Sequence, residues 1–389
     1  MDQNSLNFDK IKASIILAAI GDMIGFGNGN NEFNNGTSFS KDNYGDKYVE
    51  AGADYTNDLV FSFIYNGGFY EHPKPTWTVS DDTIMLLANG YGIINSIAND
   101  QDDIINNIRQ EYIGLIKEKT DLDRFERVYK GGLTTIASLK KLKNGDDYKT
   151  FLYDEKAGGS GGSMRSMIFG TVFYKEADKL KLIENCIEST CLTHNNATAY
   201  LGALASAFFT SYALRDIEPN RWCFEFMELL ESDIIDNYIK DTREKDYAFY
   251  ERDKKRFINK WKDYMEDKFD DYDYKYKKSL VMKYPSSRSL YYNKFSERKK
   301  DMYPGAGGDD SVIIAYDCLL EANDNWEKLV IYSMLHVGDS DTTGIIAAYL
   351  YGSYYGMSKV YSKMIENMID HKEEIIKFAD DIYKLINSL

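Results

Sequence analysis

Ser80-Asp81-Asp82-Thr83-Ile84-Met85-Leu86-Leu87-Ala88-Asn89-Gly90-Tyr91-Gly92-Ile93-Ile94-Asn95-Ser96-Ile97-Ala98 opens on two adjacent carboxylates and continues as an apolar stripe. Ile84, Leu87, Tyr91, Ile94 and Ile97 recur at three- and four-residue steps, the period of a helix with one buried face. Tyr200, Leu204, Phe208 and Tyr212 repeat that spacing, as do the segments 8–20, 103–118, 163–175, 178–191, 222–231, 243–267, 311–321, 326–336, 342–356 and 373–388. Five prolines in 389 residues leave long helices uninterrupted, so a mostly α fold is expected. Val60-Phe61-Ser62-Phe63 is the kind of short alternating run that reads as a strand, and such runs are too few to build a sheet. No fixed-period repeat is present.

A second acidic cluster, Asp339-Ser340-Asp341-Thr342-Thr343, enters another helical pattern. Each cluster packs two carboxylates and hydroxyl oxygens into a few residues, and the repulsion between them is costly unless a cation, a proton or solvent relieves it. Oxygen-only ligands favour Mg²⁺, Mn²⁺ or Ca²⁺ over zinc or copper, and two clusters could hold two ions. The competing reading is helix capping, with Ser80 and Asp81 serving the segment that starts at Asp82, and Asp339 to Thr343 serving 341–356. Capping needs one acceptor per helix, whereas both clusters carry two carboxylates, which favours a metal.

Gly158-Gly159-Ser160-Gly161-Gly162-Ser163-Met164-Arg165 precedes the apolar residues Met167, Ile168, Val172 and Phe173. Glycines permit close approach of a ligand, and N–H groups at a helix start suit phosphate oxygens. The run is neither a GxxxxGK[ST] loop nor GxGxxG after a strand, so nucleoside triphosphate and Rossmann-type dinucleotide binding are not indicated; its other reading is a flexible turn. Gly305-Ala306-Gly307-Gly308 is expected to add backbone donors if it folds nearby. His194 stands before a helical run, with no serine or cysteine and matching acid to form a nucleophilic triad. Gly21-Asp22 reads as a cap closing the first helix, and Glu32 as an acid in the following loop.

A hydrophobic content of 43% suffices for a large core, and a net charge of −15 with no basic stripe argues against nucleic acid as a partner. Cys186, Cys191, Cys223 and Cys318 show no CxxC pairing and read as reduced core residues, which points to a reducing, cytoplasmic setting. The start Met-Asp-Gln-Asn lacks the basic start and apolar run of a signal peptide, so none is expected, and the first apolar stretch, Ile11 to Ile24, is broken by Lys12, Gly21 and Asp22. No segment is expected to reach the length of a membrane span. Residues 27–40, rich in Asn and Gly, read as a loop. Residues 238–301, dense in Asp, Lys and Tyr, read as an insertion in one domain spanning 1–389. Its Arg252, Phe257, Trp261 and Tyr264 suggest a long solvated helix, with an irregular excursion near Tyr284-Pro285-Ser286-Ser287.

Taken together, these motifs resemble the ADP-ribosylglycohydrolase family, most closely its ADP-ribosylarginine hydrolase branch. The resemblance runs through Ala18-Ala19-Ile20-Gly21-Asp22, Trp77-Thr78-Val79-Ser80-Asp81-Asp82-Thr83-Ile84-Met85, the glycine run to Arg165, and Leu192-Thr193-His194. It continues through Tyr200 to Ala207, Ile314-Ala315-Tyr316-Asp317, and His336-Val337-Gly338-Asp339-Ser340-Asp341-Thr342-Thr343. What it implies is a compact, orthogonal all-α bundle with a binuclear Mg²⁺ centre (Mn²⁺ as substitute) that removes ADP-ribose from modified proteins, with a monomer expected. By that resemblance Ser80, Asp81, Asp82, Asp339, Asp341 and Thr342 are the metal ligands. Gly158, Gly159, Ser160, Gly161, Gly162, Ser163, Met164, His194, Gly305, Ala306, Gly307 and Gly308 enclose ADP-ribose, and Glu32 resembles an acid of the family's mobile loop. Retention of all four aspartates favours an enzyme over the branch that has lost them. The chain departs from its relatives at Asn195-Asn196-Ala197 and at Asp309-Asp310, positions expected to tune ligand orientation.

Breaking the bond from ribose C1″ to a guanidinium nitrogen builds positive charge on the sugar, which surrounding carboxylates stabilise. The expected arrangement has two ions holding ribose hydroxyls and a water, with Asp81 or Asp82 accepting the water's proton. An acidic pocket suits a cationic arginine leaving group. The alternatives are hydrolysis of ADP-ribosyl-serine, O-acetyl-ADP-ribose or poly(ADP-ribose), and a non-catalytic ADP-ribose reader.

Overall fold

Apolar residues at helical spacing, scarcely interrupted by proline, fold here as helix upon helix. The computed structural model describes residues 3–33, 48–98, 103–269, Met282 and 303–389. Along the chain run α1 (Gln3–Phe26), α2 (Tyr48–Tyr65), α3 (Gly68–Glu71), α4 (Asp81–Ala98), α5 (Ile104–Gly114) and α6 (Lys119–Arg127). Next come α7 (Leu133–Lys143), α8 (Met167–Val172), α9 (Lys179–Cys191), α10 (Ala197–Leu214), α11 (Trp222–Glu231) and α12 (Asp233–Thr242). The series ends with α13 (Tyr247–Lys268), α14 (Ser311–Ala322), α15 (Trp326–Ser333), α16 (Ser340–Tyr355), α17 (Ser362–Asn367) and α18 (Lys372–Ser388). Among the described residues there is no strand, only isolated bridges between Gly159 and Gly307 and between Phe269 and Met282.

Helix α10 occupies the centre. It is apolar or small on every side, so all of it except Thr198 is buried. The Asn196 side chain caps it by accepting from Thr198 N–H at 2.8 Å. Around it pack α8, α9, α13 and α16.

The most extensive helix pair is α1 with α16, and glycines decide how close it is. A Cβ on Gly21 would lie 2.5 Å from the Gly344 carbonyl oxygen, one on Gly25 2.1 Å from that of Ser340, and one on Gly352 2.5 Å from Ser14 Cα. Those pairings run in opposite order along the two helices, so α1 and α16 are antiparallel and the end of α1 meets the start of α16.

Several expectations change. Val60–Phe63 lies within helix α2, where the alternation is only part of a longer helical pattern. Gly21-Asp22 does not close α1, which continues to Phe26. The expected helix over 163–175 divides into a 3₁₀ turn, Ser163–Arg165, and the short α8. Helix α13 is not a solvated arm: Phe257, Trp261, Tyr264 and Met265 are buried, and its Lys260 and Lys268 are buried against Asp309 and Asp317. Two stretches, Phe8–Gly29 and Ala197–Leu214, are long and apolar enough to span a membrane, contrary to expectation, and are 89% and 94% buried inside the fold. The four cysteines are buried and unpaired with one another. Residues 34–40 of the expected loop, and 270–281 and 283–301 of the expected insertion including Tyr284-Pro285-Ser286-Ser287, lie outside the described residues.

Candidate active site

The first turn of α4 and the residue before it present Ser80, Asp81 and Asp82, and two of the four backbone donors from Ser80 to Thr83 are satisfied by a residue from α1. The buried Asp22 carboxylate accepts Ser80 N–H at 3.0 Å, Thr83 N–H at 3.3 Å and the Thr83 hydroxyl. Ser80 Oγ accepts Asp82 N–H at 3.1 Å, so Ser80 does act as a cap. Asp81 N–H donates to the Tyr129 carbonyl at 2.8 Å, and its Oδ2 accepts Gly132 N–H at 3.2 Å. Asp82 Oδ2 is buried without a hydrogen-bond partner, an orphan that capping does not explain.

The start of α16 arrives opposite. Asp339 N–H is held by the Pro304 carbonyl at 2.8 Å and Ser340 Oγ donates to the Gly25 carbonyl at 2.8 Å. The Asp339 side chain makes no capping bond to its own helix. It accepts instead from Ser160 Oγ at 3.1 Å. Glu32 completes this half: Phe33 N–H bonds the Gly338 carbonyl at 2.9 Å, and carboxylate oxygens of Glu32, Asp339 and Asp341 lie within 4.8 Å of one another. Glu32, expected at the ligand, is set by the fold in the acid cluster, while Asp81 and Asp82 stand outside that tight trio.

Electrostatics joins the halves. Burial, followed by the charge of Asp341, raises Asp22 to about 7, Asp81 to about 8 and Glu32 to about 12. The same two causes push Asp82 and Asp339 well above the ordinary carboxylate range. So many buried acids cannot all ionise beside one another without a counter-cation. Arg165 is the one cation among the leading influences on Asp81. The donor set is carboxylate and hydroxyl oxygen, and with the orphaned Asp82 Oδ2 it fits a hard divalent cation.

Beside the acids, the two glycine loops pair. Ser160 N–H donates to the Ala306 carbonyl at 3.0 Å and Gly308 N–H to that of Gly158 at 2.9 Å. The expectation that Gly305 to Gly308 contributes free donors is overturned, because every one of its N–H groups is engaged. Gly305 and Gly307 donate to the buried Asp310 carboxylate at 3.1 and 2.8 Å, and Ala306 to the Tyr303 carbonyl at 3.2 Å. What this loop offers is backbone bare of side chains. Asp309 pairs with Lys260 of α13 at 3.0 Å.

On the first loop, Ser163 Oγ is buried and unpartnered, and Met164 N–H returns to the Ser160 carbonyl at 3.1 Å. A Cβ on Gly161 would sit 2.5 Å from His194 Cε1, which places the imidazole against the loop. Asn195 and Asn196 turn to other work. Asn195 donates to Asp246 and to the Phe151 carbonyl, and Asn196 caps α10. Asp22 and Arg165 are the neighbours that the sequence reading left without a role here.

A cleft of about 770 Å³ bordered by Lys149, Lys181, Glu188 and Arg243 shares no residue with this centre. Its Glu188 is saturated by Arg243, Tyr148 and Tyr238, so the chemistry lies with the acids and not with this hollow.

The comparisons agree with the assembled picture. The ADP-ribosylglycohydrolase profile matches residues 3–388. The chain is 34% identical over 388 residues to a protein named as an ADP-ribosyl glycohydrolase, L444 of Acanthamoeba polyphaga mimivirus, across 95% of this chain and 71% of that one. With ADP-ribosylhydrolase ARH1 of Dictyostelium discoideum it shares 31% over 405 residues, 97% of this chain and 94% of the relative. A solved ADP-ribosylglycohydrolase-related protein complex superposes with a TM-score of 0.55 at 16% identity over 97% of this chain and 98% of that one, a likeness of fold. The chain belongs to the ADP-ribosylglycohydrolase family. It is a hydrolase of that family, whose substrates are ADP-ribosylated.

Proposed function

We propose that the protein hydrolyses the N-glycosidic bond between ADP-ribose and arginine side chains with magnesium. The carrying observation is the unpartnered Asp82 Oδ2 in a buried ring of acids that Ser160 ties to the paired glycine loops. Ser80, Asp81, Asp82, Asp339, Asp341 and Thr342, with Glu32 beside them, would hold two Mg²⁺ ions, or Mn²⁺. Bound there, the ions supply charge neutralisation and a Lewis acid for water and the ribose hydroxyls.

The chain's own groups do the rest. The backbone of Gly158 to Met164, narrowed by Gly305 to Gly308 and His194, holds the diphosphate and ribose and fixes C1″ over the acids. Carboxylates there stabilise the positive charge that develops on the sugar. Asp82, with an oxygen unclaimed by any donor, takes a proton from the attacking water, and Asp81 shares that titration. Hydroxide adds to C1″ as the C–N bond breaks, and the proton follows to the departing guanidine nitrogen. Support for arginine comes from the acid ring, which suits a cationic leaving group.

Turnover of ADP-ribosyl-arginine should fall about 10²-fold or more in Asp82→Asn, and clearly in Asp81→Asn, and should stop in EDTA. Wild-type rates in both variants would remove this reading. Parallel assays on ADP-ribosyl-serine, O-acetyl-ADP-ribose and poly(ADP-ribose) test the acceptor, and faster cleavage of any of these displaces arginine.

A further inference from the structure

Arg165 is a fully buried guanidinium that pairs with no carboxylate among the described residues. Its Nε and Nη1 have no hydrogen-bond partner, and its plane lies over the Tyr112 ring at 5.2 Å. Burying such a group is costly, so its one short bond calls for explanation. That bond runs from Nη2 to Thr193 Oγ1 at 2.7 Å, with Ser189 O more distant at 3.4 Å.

Thr193 Oγ1 in turn lies 2.8 Å from His194 Nδ1. A guanidinium only donates, so Thr193 Oγ1 accepts from Arg165, and the hydroxyl's single proton must go elsewhere. It has two destinations, His194 Nδ1 at 2.8 Å and the Thr190 carbonyl at 3.5 Å, of which the second is at the limit of a hydrogen bond. With the hydroxyl proton directed to Nδ1, that nitrogen is an acceptor and the imidazole carries its proton on Nε2. Nε2 belongs to the ring edge lying against the glycine loop. A Cβ built on Gly161 would be 2.9 Å from it and one on Gly159 3.8 Å, and Ser160 between them reaches Asp339.

We infer that Arg165 is a positioning residue that acts through Thr193 to fix His194 as the Nε2–H tautomer, so that the histidine presents a donor to an oxygen of bound ADP-ribose. The last clause rests on the proposed ADP-ribose site; the tautomer does not. The charge of Arg165 is felt by Asp81, yet among the described residues no carboxylate bonds it, and its one short bond orients a hydroxyl. Arg165 is itself placed by its main chain, whose carbonyl accepts from Asn89 Nδ2 of α4 at 2.9 Å, so the relay keeps register with the helix that carries Asp81 and Asp82.

The test is ¹⁵N NMR of the histidine side chains in the full-length protein, with His194 assigned by loss of its signals in His194→Gln. The wild type should show a protonated Nε2 and an unprotonated Nδ1. Thr193→Val and Arg165→Met should give mixed tautomers, and Thr193→Ser should restore the wild-type pattern. Calorimetric titration with ADP-ribose should show about tenfold or weaker binding in Thr193→Val, with recovery in Thr193→Ser. Protonated Nδ1 in the wild type overturns the inference whether or not any variant folds, as does an unchanged tautomer in folded Arg165→Met. Wild-type protein that binds no ADP-ribose defeats the functional reading while leaving the tautomer result standing. Equal binding by wild type and folded Thr193→Val defeats the relay alone.

Discussion

Asp22 serves as the N-terminal cap of a helix to which it does not belong. By taking Ser80 N–H, Thr83 N–H and the Thr83 hydroxyl from near the C-terminal end of α1, it relieves the acids at the start of α4 of that duty. Asp22→Ala would strand those buried donors, and a loss of about 3 kcal/mol in unfolding free energy is expected by urea denaturation, with Asp22→Asn in between. An unchanged urea midpoint in Asp22→Ala would refute the capping role. Nothing local betrays it, because its partners are 58 and 61 residues away. Glycine before it and the apolar run around it read as a helix end. Asp82 and Asp339 were legible for the opposite reason: paired carboxylates beside hydroxyls are conspicuous residue by residue, whatever the fold does with them. The glycine loops were legible as loops, but Asp310, which absorbs two donors of the second, could be identified only from geometry.

At the level of elements, α1 is the brace between the acid-bearing ends. Its Asp22 holds the start of α4, and its glycine face admits the start of α16. Gly25→Ala would drive a methyl against the Ser340 carbonyl at 2.1 Å, where backbone rather than a flexible side chain must yield. The expected result is a fall of several degrees in thermal midpoint, together with weaker Mg²⁺ binding by calorimetry, since Asp339 and Asp341 move with that turn. Gly114→Ala is the contrast: it ends α5 with nothing within 4 Å of a new Cβ, so stability should hold or rise by about 0.5–1 kcal/mol. If the two substitutions melt alike, close helix contact is not what the glycines of α1 provide. The helical period gave twelve of the eighteen helices, leaving out α2, α3, α6, α7, α12 and α17, and it failed where surroundings decide the outcome. In α13 the charges suggested a solvated helix, yet Lys260 and Lys268 are buried because Asp309, Asp317 and Glu321 of other segments meet them.

For the whole molecule, the clustered acids make folding, protons and metal one equilibrium. In the folded protein Asp22 and Asp81 hold protons up to about 7 and 8, whereas in the unfolded chain they release them near 3.8. Between those limits the native state binds more protons than the unfolded one, so unfolding releases protons and stability falls as pH rises from about 4 to 8. A divalent cation among the acids favours their ionised form, reverses that preference and releases protons on binding. Metal-free protein in EDTA should therefore melt at progressively lower temperature as pH is raised from 5 to 8, while in saturating Mg²⁺ the midpoint should stay level or climb. Stabilisation by the ion thus grows with pH and should depend on its concentration as ligand linkage requires. Superimposable pH profiles in EDTA and Mg²⁺ would mean that the ring of carboxylates is held together by protons or solvent, and that no ion binds among Asp81, Asp82, Asp339 and Asp341.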